Sequence, residues 1–160
     1  MAARERPLAL YLQGHYAASE AAVRSVRQQA AQRSGDDLGA LLTRLGREIA
    51  EDQATLEDVM ARVDVTPSAV RAGGAVVTAT LGRWILRVQM PGEPQARLAG
   101  LESLSLGIEG KASLWRALRE IAANDPRLTG LDFDALAKRA ESQREQLEPH
   151  RLDAARRAAG

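Results

Sequence analysis

The chain has no cysteine, which excludes disulfides, thiolate metal sites and a cysteine nucleophile and leaves the redox compartment open. Aromatic residues are nearly missing as well: one Phe, two Tyr and two Trp in 160 residues. An excess of charge of one sign is also lacking. With 22 Lys and Arg against 21 Asp and Glu, the formal net charge is +1, and no strong field draws the protein to nucleic acid or to an anionic membrane. Nucleic acid is therefore not an expected partner. No apolar run approaches the roughly 20 residues that a bilayer demands. The nearest, "AGGAVVTATLG", carries three glycines and two threonines and is flanked by arginines, so no transmembrane segment is expected. The opening "MAARERPLALYLQGHY" lacks the sustained apolar stretch and small-residue cleavage site of a signal peptide, and the expectation is a cytoplasmic protein.

What is present suits helices. Hydrophobic residues make up 45% of the chain, enough for the core of one ordinary domain. Ala, Leu, Arg, Glu and Gln dominate, residues that lose little freedom in a helix, so the fold class is all-α. Residues 7 to 33 begin with Pro7, suited to a first turn, and place Leu8, Tyr11, Leu12, His15, Ser19, Ala22, Val26 and Ala30 on one stripe. "RSGDD" interrupts the pattern, with Ser34, Asp36 or Asp37 to cap the next helix and Gly35 to make a left-handed turn. The second helix, about 37 to 63, has its stripe at Leu38, Leu42, Leu45, Ile49, Asp52, Leu56, Met60 and Val63. The third, 97 to 123, uses Leu101, Leu104, Ile108, Lys111 or Ala112, Trp115, Leu118 and Ala122. The fourth, 131 to 158, uses Leu131, Leu136, Ala140, Gln143, Leu147, His150 or Arg151 and Ala154, with Pro149 expected to bend it.

These segments predict one domain, an antiparallel four-helix bundle made of a hairpin 7–63, a connection 64–96 and a hairpin 97–158. Within the connection, Thr66 as a cap and Pro67 at a first turn suggest a helix that Gly73 and Gly74 weaken, and "RWILRVQM" reads as a short extended piece. Its Trp84, between Arg83 and Arg87, suits either peripheral membrane contact or packing against the bundle.

Three stripe positions hold groups capable of chemistry: His15, Asp52 and His150. In the first hairpin, counting from a turn near residue 35 places Asp52 within about one turn of the level of His15. In the second, His150 falls near the level of Glu102 and Glu109. If the third helix starts where the second stops, His15, Glu48, Asp52, Glu102, Glu109 and His150 gather in one layer. If the connection crosses the bundle lengthwise, they form two clusters at opposite ends. Two imidazoles among carboxylates suit iron, zinc or manganese, and this set is the candidate metal site of an alternative reading; the leading reading expects no cofactor. The Glu-x-x-His spacing of di-iron bundles is not met, because the residues three before His15 and His150 are Leu12 and Leu147. The leading reading is structural, with Asp52 accepting a hydrogen bond from His15, and Tyr11 as a further donor, and fixing helix register.

"LGIEGKASLW" approaches a phosphate-binding loop but fails its spacing: two residues, not four, separate Gly107 from Gly110-Lys111, and Ala112 stands where Ser or Thr is needed. Gly107, Gly110, Ser103 and Ser105 read instead as small residues that admit a neighbouring helix closely. No catalytic motif is complete, and a non-catalytic structural or interaction protein is the expected role. A stripe left apolar and exposed would make it a homo-oligomer.

At "LYLQGHYAASEAAVRSV", "LGREIAEDQATLEDVMARV", "LESLSLGIEGKASLWRAL" and "QLEPHRLDAARRA" the chain resembles an uncharacterised family of small bacterial helical proteins that look like ferritin-type bundles. The resemblance spans most of the chain and implies a four-helix fold, with no activity attached.

Overall fold

A computed structural model describes residues 2 to 33, 35 to 67 and 93 to 160, with backbone alone for 2 to 6. Among them are four α-helices and no strand: α1 (Ala2–Ala31), α2 (Asp37–Arg62), α3 (Glu93–Ala122) and α4 (Phe133–Ala158), with a 3-10 turn (Pro126–Leu128) before α4. The all-α class stands. The expectations for Trp84, Gly73, Gly74 and "RWILRVQM" lie outside the described residues.

Local chemistry accounts for the boundaries. Asp36, of the three candidates, caps α2, its Oδ1 accepting from the Gly39 amide at 2.6 Å, and Gly35 takes the left-handed conformation at φ 107°. Gly39 is obligatory: a Cβ there would stand 1.8 Å from the Arg33 carbonyl oxygen. At the other end of α2, the amides of Asp64 and Val65 bond back to the carbonyls of Ala61 and Met60 at 3.2 and 2.8 Å. This is a Schellman turn, with Asp64 at φ 58° where glycine is usual. Asp132 caps α4 through the Ala135 amide at 2.9 Å, so the helix starts two residues later than its stripe suggests. The helix then continues through Pro149. α3 starts at Glu93, four residues earlier than expected, and α1 at Ala2, with Pro7 inside its first turns.

The stripe of α2 is buried along its whole length, including Asp52. Two clusters make up the core. One joins Val23 and Val26 of α1 to Leu42, Leu45 and Ile49 of α2, Leu101, Leu104 and Ile108 of α3, and Ala140, Leu147 and Ala154 of α4. The other joins Leu12, Leu56, Met60, Trp115, Leu118 and Phe133, with Trp115 stacked on Phe133 at 6.2 Å between ring centroids. Early residues of α3 face late residues of α4: Gln95 donates to the Ala158 carbonyl at 3.4 Å and Arg151 to Glu102 at 3.5 Å, while Arg119 meets Asp134 at 2.8 Å. The same reversal relates α2 to α4, where Arg139 meets Glu51 at 3.2 Å and Gln143 meets Glu48 at 2.9 Å. α2 and α3 instead share their order, Leu42 and Leu101 lying in one cluster and Met60 and Leu118 in the other.

Candidate functional site

Between the two core clusters runs a polar level. Asp52 follows Ile49 on the buried face of α2 by one turn, so the helix must carry its carboxylate inward; the residue is 2% exposed. Its two oxygens are taken separately, Oδ2 by the ammonium of Lys111 from α3 and Oδ1 by the guanidinium of Arg139 from α4. Lys111 also donates to Gln143 Oε1 at 2.5 Å, and the Gln143 amide donates to Glu48 Oε2 at 2.9 Å. Arg139 extends outward to Glu51 at 3.2 Å. Burial lowers the Lys111 pKa below its usual 10.5, an effect that the charge of Asp52 and the hydrogen bond to it oppose. Each charge within this chain has an opposite charge as partner, although Arg139 Nε finds no acceptor among the described residues, and removing Asp52 would strand Lys111 in low dielectric.

This corrects the expected environment of Asp52. Its partners are Lys111 and Arg139, not His15 and Tyr11. His15 packs edge-on against Tyr11, ring centroids 4.7 Å apart, and makes no hydrogen bond to another described residue. Burial lowers the His15 pKa below 6.5 and favours its neutral form. Lys111 was visible as a cation in the α3 stripe. A lone carboxylate in one stripe and a lone ammonium in another are compatible with a pair, but the stripes alone do not say which helices meet.

The six residues of the candidate metal site are not brought together. Glu109 pairs with Arg116 and Arg144, Glu102 with Arg151, and Glu48 with Arg44 at 3.7 Å. His150 is half-buried between Leu147 and Ala154, which belong to the first cluster, whereas His15 stands one turn from Leu12 in the second. Among the described residues no three of the His, Asp and Glu side chains are grouped closely enough to hold a metal ion. The physical reason is competition. Each carboxylate is engaged by a basic side chain, Glu48 by Arg44, Asp52 by Lys111 and Arg139, Glu102 by Arg151 and Glu109 by Arg116 and Arg144, and a metal would have to displace that partner.

A cleft of about 610 Å³ opens beside the polar level, between α1 and α3 with α2 at its floor. His15, Ala18 and Ala22 line it from α1, Ile49 and Asp52 from the floor, and Gly107, Gly110 and Lys111 from α3. The small residues of α3 were expected to admit a helix closely. Gly107 and Gly110 do not: a Cβ at either would meet no described residue within 4 Å. At the rim, Leu10 and Leu106 are 60% and 53% exposed. Two buried polar atoms in the lining have no partner among the described residues, Ser103 Oγ and the indole N–H of Trp115, although Trp115 is only 1% exposed.

No helix among the described residues is long and apolar enough to cross a membrane. Trp84, the residue considered for peripheral membrane contact, lies outside the described residues. No protein-family model matches the chain, and neither a curated protein nor a solved structure matches it.

Proposed function

We propose that the chain is an antiparallel four-helix bundle, its hairpins joined by one lengthwise connection, that acts by binding through its α1–α3 face rather than by catalysis. The order of facing residues supports the arrangement. α2 and α3 run the same way, so the end of α2 and the start of α3 lie about one length of α2 apart, roughly 39 Å for its 26 residues. A single long connection of this kind occurs in ferritin-like bundles.

One observation carries the functional reading. The ionised groups behind the cleft, Asp52, Lys111 and Arg139, are committed to one another, while the cleft itself opens to solvent between exposed Leu10 and Leu106. An apolar concavity costs free energy unless something covers it.

The test is binding of an uncharged environment-sensitive dye, Nile red, followed by its fluorescence. Wild type is expected to bind one dye per chain, and Gly107→Leu, which places a side chain in the open space, is expected to lose it. Absence of dye binding by wild type would refute the reading. Light scattering over a range of concentrations separates the occupants: a dimer that excludes dye would make the face a homo-oligomer interface.

A further inference from the structure

We infer that the outer α1–α2 face is the interface of a weak two-fold dimer, a second copy of the chain lying antiparallel across it so that Arg27 and Arg47 of each copy meet Asp36 and Asp37 of the other. This face lies apart from the α1–α3 cleft, and the inference goes beyond the binding role proposed above.

The face is built around an open groove of about 750 Å³ that α1 and α2 form near their shared turn. Its two ends carry opposite charge. A Cβ built at Gly46 would stand 3.9 Å from Arg27 Cγ, so the Arg27 stem lies against α2 at that level, at the same end of the groove as Arg47. Asp36 and Asp37 form the other end, where α2 begins. Asp37 and Arg47 are roughly 15 Å apart along α2 at the helical rise. All four charged residues are exposed. Arg27, Arg47 and Asp37 have no hydrogen-bond or ion-pair partner among the described residues. Asp36 already caps α2 with one oxygen and attracts the Arg33 guanidinium, so Asp37 and Arg47 dominate the contact.

Between the charged ends the surface is low. No lining residue there is larger than threonine, and the Thr43 hydroxyl is committed to the Gly39 carbonyl at 2.8 Å. Arg44 is drawn away by Glu48 at 3.7 Å and by Gln146 of α4. A second α2 can therefore approach without displacing a long side chain.

The order of the charges selects the occupant. A wholly acidic partner would meet Asp36 and Asp37, and a wholly basic one Arg27 and Arg47. Only a surface with both signs in reverse order is complementary along the whole face. A copy of this chain, rotated about a two-fold axis passing between the levels of Ala40 and Thr43, presents that order, because a two-fold contact makes every pair twice. Size sets the strength. Two helices side by side are about 20 Å wide, and a contact about 20 Å long buries roughly 400 Å² on each copy, about half of what stable complexes bury. Such a dimer is weak, and salt screens the exposed pairs that align it.

The experiment is sedimentation equilibrium of the full-length chain from roughly 10 µM to 1 mM, at about 0.05 and 0.5 M salt. A monomer–dimer equilibrium weakened by salt is expected. Arg47→Glu and Asp37→Arg, which leave the Asp36 cap in place, should each weaken the dimer by about tenfold or more, since each sets like charges face to face twice. An equimolar mixture of the two variants is the sharpest arm. Asp37 of the first meets Arg47 of the second, the two substituted positions form the opposite pair, and a heterodimer as tight as the wild-type dimer should form. A folding defect would not be repaired by mixing.

A monomer throughout the range would overturn the inference and leave the binding role of the cleft standing. A dimer indifferent to both substitutions, or variants that mixing does not restore, would also overturn it. The dimer expected here retains one Nile red per chain; a dimer that gives up dye bound by the monomer would have its interface on the α1–α3 face, against the inference.

Discussion

Replacing Asp52 by leucine tests the polar level directly. In the wild type its carboxylate accepts from Lys111 and Arg139 and is 2% exposed. Removing one partner of a buried pair typically costs about 3–5 kcal/mol, because the other charge is stranded. The two cations are not equally stranded. The Lys111 side chain is 13% exposed and keeps the Gln143 amide oxygen but no counter-charge, while that of Arg139 is 33% exposed and retains Glu51. The loss therefore falls mainly on Lys111, and the expected cost of Asp52→Leu is about 3 kcal/mol, at the low end of that range. For a chain of this length that lowers Tm by roughly 6–12 °C. Urea unfolding followed by helical circular dichroism measures it. The decisive comparison is Asp52→Leu with Lys111→Met: with both charges gone, Arg139 keeps Glu51, Gln143 keeps Glu48, and stability should return to within about 1 kcal/mol of wild type. A double variant as unstable as the single one would show that Lys111 is not the stranded partner. A single variant within about 0.5 kcal/mol of wild type, the range of ordinary surface substitutions, would show that the level is solvated.

Two glycines should respond to alanine with opposite sign. Gly39→Ala is expected to destabilise by about 2 kcal/mol, as its Cβ would stand 1.8 Å from a backbone oxygen, whereas Gly107→Ala, with open space, should stabilise by up to about 1 kcal/mol in the same urea assay. Asp64→Gly should add about 0.5 kcal/mol by relieving the left-handed backbone at φ 58°, because its contact with Arg127, at 3.8 Å and largely exposed, contributes little. His15, whose pKa is lowered by burial, takes up a proton more readily unfolded than folded. Stability should therefore fall as pH drops below about 6.5, until the lowered folded value is passed, and His15→Gln should flatten that part of a pH series of unfolding curves. Protein purified without tag or chelator, exposed to iron, zinc or manganese and then desalted, is expected to retain none by elemental analysis, since guanidinium groups hold Glu102 and Glu109. Stoichiometric retention would reinstate a metal site.

The helices were legible from local information. The 3.6-residue spacing of Leu38, Leu42, Leu45 and Ile49 marked the buried face of α2, and Asp36 and Gly35 marked its start, because caps and stripes depend on residues within one or two turns. Boundaries erred where a second signal competed: Asp132 displaced the start suggested by Leu131, and α3 acquired a turn before its apolar stripe begins. Asp52 was legible as an anomaly, but its partners were not.

The partners depend on which helices lie side by side and in which direction, and no local pattern encodes that. Counting from the hairpin turn put Asp52 near the level of His15, yet level along an axis does not set rotation about it, and the Asp52 carboxylate meets α3 and α4 instead of the His15 imidazole. Likewise the small face at Gly107 and Gly110 was readable as small, whereas its use depended on the distance between α1 and α3. Composition and periodicity therefore determined four helices and the residues they turn inward. Only tertiary packing decided which charges met and where a cleft was left, since helix direction and separation follow from contacts between residues far apart in the chain.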